Sequence, residues 1–409
     1  MLSVDAHLAD CLAAIKPLPA REVALLEAAG CLLAEDVVSA IDMPRFDNSS
    51  MDGYAVRAAE LASAGPDSPV ALPVLGDIPA GHAAASRLEP GTTLRIMTGA
   101  PLPVGADAVV PVEWTDAGDS QVLIERAPAA GQYLRRCGED VQAGETVLRI
   151  GARLSPRHIA LLAAVGRDRV LVQPRPLVLV MPSGNELVPP GKALGPGQIH
   201  DSNGYGLIAA VRELGADAEH GGVIDDVPES VTRMLEAAAR RADLVITTGG
   251  VSAGAYDTIK AVLRELGTVR FDKVAMQPGM PQGFGTIGDD ATAIFTLPGN
   301  PVSALVSFEV FVRPALLRLA GESSVERDTQ TATAAVGWRS PAGKRQFVRA
   351  RLDRSDAGDL QVRPVGGQGS HLVADLAEAT CLAVVDEDVT EVSVGDRLQC
   401  LVLDQQGRW

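Results

Sequence analysis

The stretch Ala242–Asp257, ADLVITTGGVSAGAYD, constrains this chain more than any other, because it joins a buried strand to a helix through a loop nearly free of bulky side chains. Asp243–Thr248 holds the apolar, β-branched run of a strand covered on both faces, and Asp257-Thr-Ile-Lys-Ala-Val-Leu opens a helical pattern. Gly249, Gly250 and Gly254 lie between them. Glycines let backbone amides approach a ligand closely and a helix start presents unpaired N–H groups, so the natural guest is an anion such as phosphate. A plain tight turn is the alternative reading. Loops at the carboxyl ends of strands are the usual ligand sites of open α/β sheets, which favours binding.

The same pattern recurs around this stretch. Leu177–Met181, Gly221–Ile224 and Ala293–Leu297 read as further strands, and helical patterns run over about Gly204–Leu214, Glu229–Arg241, Thr258–Leu266 and Val302–Leu319. The alternation predicts a doubly wound, mostly parallel α/β sheet. From Val56 to Asp140 short alternating runs broken by Gly and Pro predict an inserted β-rich module, and the last portion reads as a C-terminal β domain. A short helix with Leu8, Leu12 and Ile15 at helical spacing opens the chain, 21–42 reads as a helix-containing connection, and another helix is expected around Pro156–Val165. The expected partition is an α/β domain over 1–20 plus 172–322, a small linking domain over 21–42 plus 141–171, the inserted β-rich domain over 43–140, and the C-terminal β domain over 323–409.

Totals exclude several function classes. A length of 409 residues suits roughly three domains. A formal net charge of -16 argues against sequence-independent nucleic-acid binding, which needs a basic footprint. The five cysteines are scattered and never form C-x-x-C, so reduced thiols in a cytoplasmic protein are expected instead of disulfides or zinc. No apolar run approaches the roughly 18 residues of a membrane span, and no secretory signal pattern opens the chain.

Three loops that follow strands can line one crevice: Ser183-Gly-Asn-Glu186, Thr247-Thr-Gly-Gly-Val-Ser252 and Leu297-Pro-Gly-Asn-Pro301. Pro298, Gly299 and Pro301 direct the backbone, and Asn300 can donate and accept at the start of the next helix. Asp257 reads either as an N-cap or as a metal ligand. A carboxylate beside an anion is repulsive unless a divalent cation lies between, and Glu186 with the Asp225-Asp226 pair strengthens the expectation of oxygen-ligated magnesium. Elsewhere, FDNSSMDGYAV groups Asp47, Asn48, Ser49, Ser50 and Asp52, Thr98 sits where a strand ends, and RRCGED concentrates Arg135, Arg136, Glu139 and Asp140. A turn at Asp52-Gly53 and an exposed charge run remain open for these. No G-x-x-x-x-G-K-[ST] occurs, and Gly204-Tyr-Gly-Leu-Ile-Ala209 matches a dinucleotide fingerprint only after a long loop.

Taken together, FDNSSMDGYAV, RIMTGAPLP, RRCGED, SGNEL, TTGGVSAGAYD and LPGNPVSA resemble the molybdopterin molybdenumtransferase family, the MoeA and gephyrin E-domain group, in order from about Asp42 to Ser370. The resemblance implies a molybdopterin-binding type of sheet domain and insertion of molybdate into adenylylated molybdopterin with release of AMP, dependent on magnesium. It also implies an elongated four-domain homodimer whose active site lies between the sheet domain of one subunit and the inserted domain of the other. Residue by residue it points to Asp52, Thr98, Asp140, Glu186, Asp226 and Asp257 as catalytic, with Asp226 and Asp257 holding the metal. Ser183, Gly249, Gly250, Ser252, Pro298, Asn300 and Pro301 would bind substrate, with Lys273, Arg349 and Ser370 as further substrate positions. One departure concerns charge: where many relatives have K-P-G-K-P, this chain reads Gln277-Pro-Gly-Met-Pro281. Losing both cations should weaken an oxyanion grip by about 1 to 3 kcal/mol if both made charge-assisted bonds. Ser50 also replaces the usual alanine. Adenylyl transfer from ATP to the pterin is an alternative that the additional domains disfavour, and a non-catalytic scaffold is one that the full set of acidic positions disfavours.

Overall fold

The computed structural model describes residues 1–82, 87–250, 258–356 and 358–403. They fall into two compact units: Met1–Arg21 with Gly30–Leu32 and Gln173–Trp409, and Glu22–Ala29 with Leu33–Val172.

In the first unit β1 (Leu177–Pro182), β2 (Asp217–His220), β3 (Leu244–Thr248), β4 (Arg270–Lys273), β5 (Pro281–Ile287) and β6 (Thr292–Leu297) form a sheet of order β2-β1-β3-β6-β5-β4. Four strands, β2, β1, β3 and β6, are parallel, while β5 and β4 complete the edge by antiparallel pairing. Strand side chains alternate between faces. Val178, Val180, Leu244, Ile246 and Phe295 face one core together with α1 (Val4–Ala14), α2 (Asn203–Glu213) and α5 (Pro301–Ser307). Leu179, Met181, Val245 and Ile294 face the other, covered by α3 (Pro228–Ala239) and α4 (Thr258–Leu266). Burial on both faces is why these strands read as unbroken apolar runs, each fully buried Val or Leu contributing about 1.5–3 kcal/mol.

The register decides where the ligand loops emerge. Thr248 stands opposite Pro182 on one side and Leu297 on the other. Consequently β1, β3 and β6 end level with one another, and the loops that follow them leave from one edge.

Two local expectations are corrected. The strand beside β1 is Asp217–His220, and Gly221–Ile224 is a connection that holds to β1 by single hydrogen bonds, Gly221 N to Val180 O and Ile224 N to Pro182 O, both 2.8 Å, and by a bridge between Ile224 and Ser183. Residues 21–42 contain no helix; they form the strands Arg21–Ala24, Leu32–Leu33 and Val37–Val38. Leu25–Gly30 carries good helix formers, yet one turn is too short to repay helix nucleation and it settles as turns.

At the start of the chain, α1 is capped by Ser3, whose Oγ accepts from Ala6 N at 3.1 Å, and it buries Val4, His7 and Cys11. Leu8 and Leu12 flank that stripe, partly buried against the same core. At the other end, Thr329–Ala334, Arg345–Arg354, Leu360–Pro364, Cys381–Val385 and Arg397–Val402 close into a five-stranded barrel, because Arg345–Arg354 pairs with both Leu360–Pro364 and Cys381–Val385. Its core is built of small side chains such as Ala332, Ala350, Cys381, Ala383 and Cys400. Arg345 binds Asp5 with two hydrogen bonds of 2.6 and 2.9 Å, tying the barrel to α1.

In the second unit a five-stranded sheet runs in the order Ala108–Pro111, Gly53–Val56, Thr93–Ile96, Val70–Ile78, Gln121–Ile124. Tyr54 and Val56 face one apolar core and Ala55 and Ile96 the other. Short pairs, Asn48–Ser49 with Leu134–Arg135 and Val37–Val38 with Thr146–Leu148, lead into and out of it, and the helix Pro156–Ala164 follows. Among the described residues no helix is long and apolar enough to cross a membrane.

Candidate active site

A cavity of about 790 Å³ opens at the level edge of the sheet. Its walls come from the loops after β1, β3 and β6, the connection after β2 at Asp226, the starts of α2 and α4, Pro281 of β5 and His371 of the C-terminal barrel region. Ser183, Glu186, Asp226, Gly249, Gly250, Pro298, Asn300 and Pro301 all line it. Glycine is required at the β3 turn, because Gly249 and Gly250 have φ of 93° and 72°, the left-handed region that side chains disfavour. A Cβ at Gly249 would meet Ser183 Oγ at 2.6 Å and Ser183 O at 3.0 Å. Gly249 N–H donates to Leu297 O at 3.0 Å, so this glycine contributes a bend and a close approach, and its amide is already engaged.

Polar side chains brace the three loops. Asp226 Oδ2 accepts from Asn185 Nδ2 at 2.7 Å, and Thr258 Oγ1, at the first residue of α4, donates to Asp226 O at 3.2 Å. Ser183 N donates to Thr248 O at 2.9 Å. Asn300 Nδ2 donates to Ser370 Oγ at 2.9 Å, and Val302 N to Ser370 O at 3.1 Å, which joins the barrel loop to the start of α5. That junction places His371 in the cavity wall.

The charges lining the cavity are mostly acidic. Among the described lining residues are the carboxylates of Glu186, Asp201 and Asp226 and the imidazoles of His200 and His371, and there is no Lys or Arg. No group of three or more His, Cys, Asp or Glu side chains among the described residues is arranged to hold a metal ion by itself. Magnesium does not require one, because it binds through one or two carboxylates together with phosphate oxygens and water. Glu186 and Asp226 fit that partial donor set.

Other predicted positions are not among the residues that line this cavity. Lys273 ends the edge strand opposite Pro281, exposed and outside the lining. Arg349 is only 4% exposed, and it donates to the carbonyl oxygens of Leu372 and Gly367, so it anchors the loop that carries Ser370. Burial pushes its guanidinium below the usual arginine range. The space beside it is about 20 Å³, room for about one water. In the other unit Asp52 Oδ1 accepts from Thr98 N at 2.7 Å and Thr98 Oγ1 at 2.8 Å. These hydrogen bonds hold the Asp52 carboxyl below the usual range, the backbone one contributing most. Asp140 lines a separate cavity of about 470 Å³ with Arg45, Arg135 and Glu139. Ser252 and Asp257 lie outside the described residues.

Sequence reasoning passed over Asn203 and His371. Asn203 ends an Asp201-Ser202-Asn203 run whose residue types all suit a helix cap, and Asp201 takes that role, its Oδ1 accepting from Gly204 N at 2.8 Å. Nothing in local pattern marks His371, which reaches the cavity only because the barrel loop docks on α5.

Comparison with known proteins decides the family. Residues 2–166 match the MoeA N-terminal region (domain I and II), 179–318 a probable molybdopterin binding domain, and 331–403 the MoeA C-terminal region (domain IV). Molybdopterin molybdenumtransferase 2 of Mycobacterium tuberculosis is 47% identical, over 98% of this chain and 99% of that protein. The chain belongs to the MoeA family of molybdopterin molybdenumtransferases. Another MoeA relative, molybdopterin molybdenumtransferase 1 of Mycobacterium tuberculosis, is 41% identical over 97% of both chains. The solved structure of a MoeA molybdopterin biosynthesis protein from Pyrococcus horikosii superposes with a TM-score of 0.77 at 32% identity, covering 99% of each. In MoeA terms the cavity residues from Pro182 to Pro301 fall in the molybdopterin-binding segment, His371 in domain IV, and Asp52, Thr98 and Asp140 in the N-terminal region.

Proposed function

We propose that this chain inserts molybdate into adenylylated molybdopterin with release of AMP, as a magnesium-dependent cytoplasmic homodimer with a shared active site. The observation that carries the reading is the cavity at the level ends of β1, β3 and β6, large enough for a drug-sized ligand and lined by glycine loops, hydroxyls and carboxylates in the segment that matches a molybdopterin-binding domain. An anionic substrate in an acidic cavity with no Lys or Arg among its described lining residues needs a countercharge, which supports the metal. Glu186 and Asp226 would hold magnesium, and the family resemblance adds Asp257 as a further ligand. When bound, the ion neutralises phosphate charge and eases departure of AMP from the phosphoanhydride.

The protein's own work in this scheme is orientation. Asn185 fixes the Asp226 carboxylate, Ser183 and Asn300 offer hydrogen bonds from opposite loops, and the close approach at Gly249 brings the walls around the phosphates. No covalent nucleophile is required. The N-terminal and C-terminal regions, present in addition to the sheet domain, count against adenylyl transfer as the activity.

Purified protein given adenylylated molybdopterin, molybdate and magnesium should release AMP and yield active cofactor. Asp226→Asn and Asp257→Asn should each suppress release and raise the magnesium requirement. Undiminished release from either variant removes that residue from the mechanism, and ATP consumption with unmodified pterin would point to adenylyl transfer instead.

A further inference from the structure

One side chain ties two of the cavity's three loops together. Asn203 is the first residue of α2 and lines the cavity. Its Nδ2 donates to Thr248 Oγ1 at 3.0 Å and to Gly299 O at 2.7 Å. Thr248 Oγ1 in turn donates to Pro298 O at 3.0 Å. Because the threonine proton is committed to Pro298, its oxygen can only accept from Asn203. The arrangement therefore requires two N–H donors on one nitrogen, which the short carboxamide supplies while serine offers one donor and an ionised carboxylate none.

The loops that this clasp joins are already near contact. A Cβ at Gly299 would stand 3.5 Å from Gly249 Cα. Gly249 and Gly299 both line the cavity, so the separation of the Thr248–Gly250 and Pro298–Pro301 segments sets how far apart these two walls stand. Helix integrity does not depend on Asn203, since Asp201 caps α2 through Gly204 N and also binds His220 Nε2 at 3.0 Å.

We propose that Asn203 is a positioning residue for the transfer reaction: its amide holds the Pro298–Pro301 loop against the end of β3 and keeps the cavity walls at the spacing the substrate needs. The kinetic part of this inference rests on the proposed function. The structural part does not.

The test uses full-length Asn203→Ala, with Asn203→Asp as a second variant of nearly unchanged volume should the first not fold, followed by Thr248→Val and the double variant. Hydrogen exchange should quicken in peptides spanning 247–250 and 298–301 and stay unchanged in α2. Transfer kinetics should show kcat/KM falling about 100-fold, mainly through kcat, as expected when reacting groups are displaced by about 1 Å. The double variant should be no worse than the poorer single one, because both lesions break one clasp. Unchanged exchange in the two loops, unchanged kcat/KM, additive losses, or a lower melting temperature with normal kcat/KM in the folded protein would each overturn the proposal. Wild-type protein that transfers no molybdenum counts against the function, and the exchange measurement then decides the clasp alone.

Discussion

Replacing Gly249 by alanine isolates what the turn after β3 contributes. Two costs add. At φ of 93° a Cβ is strained against the neighbouring carbonyl, which costs roughly 1–2 kcal/mol. The new methyl would also lie 2.6 Å from Ser183 Oγ and 3.0 Å from Ser183 O, inside any normal contact, and relieving such overpacking costs about 1–3 kcal/mol. Together they predict a loss of about 2–5 kcal/mol. Gly191 separates the two contributions, because its φ is 85° and nothing lies within 4 Å of its would-be Cβ. Gly191→Ala should therefore show strain alone, about 1–2 kcal/mol. Each kcal/mol lowers the melting temperature by roughly 2–4 °C in a unit of this size. Thermal melts of both variants should place Gly249→Ala several degrees below Gly191→Ala, and only the former should lose transfer activity, since its clash pushes Ser183 out of the cavity wall. Equal melting temperatures with equal activities would refute the steric argument.

Thr98→Val removes one of two hydrogen bonds that keep the Asp52 carboxyl depressed, so its pKa should rise toward the ordinary value near 3.9. A depressed carboxyl adds stability that is present above the unfolded pKa and lost as pH falls through the folded one, so in the variant the acid-side loss should be smaller and complete at higher pH; an NMR titration of Asp52 that does not move would contradict this. Phe295→Ala should cost about 3–5 kcal/mol, because the ring is 1% exposed and packs 4.7 Å from the Phe284 ring; a loss under about 1 kcal/mol in urea unfolding would mean that the sheet face repacks.

Much of this architecture was legible because burial on both faces writes itself into the chain as unbroken apolar runs. Leu244–Thr248 and the loops after β1, β3 and β6 could be read directly, and parallel pairing alone put their ends on one edge. Less local facts were hidden. Good helix formers in Leu25–Gly30 promised a helix that one turn cannot nucleate. Arg349 entered only through the family resemblance, and its two carbonyl partners are 18 and 23 residues further along, where only the folded barrel brings them near. Asn203 looked like a cap because capping and bridging draw on the same polar residue types. Which job it performs depends on Gly299, 96 positions away.

The common rung formed by Pro182, Thr248 and Leu297 has an evolutionary and engineering consequence. All three ligand loops are anchored to one rigid baseline, so each can be exchanged between relatives, lengthened or recoded without resetting the others. A deletion of one residue within β1, β3 or β6 would do the opposite, turning that strand's side chains over and withdrawing its loop from the shared edge. Tolerance to insertion should therefore change abruptly at residues 183, 249 and 298, which makes these positions natural seams for building chimeras with altered ligand preference.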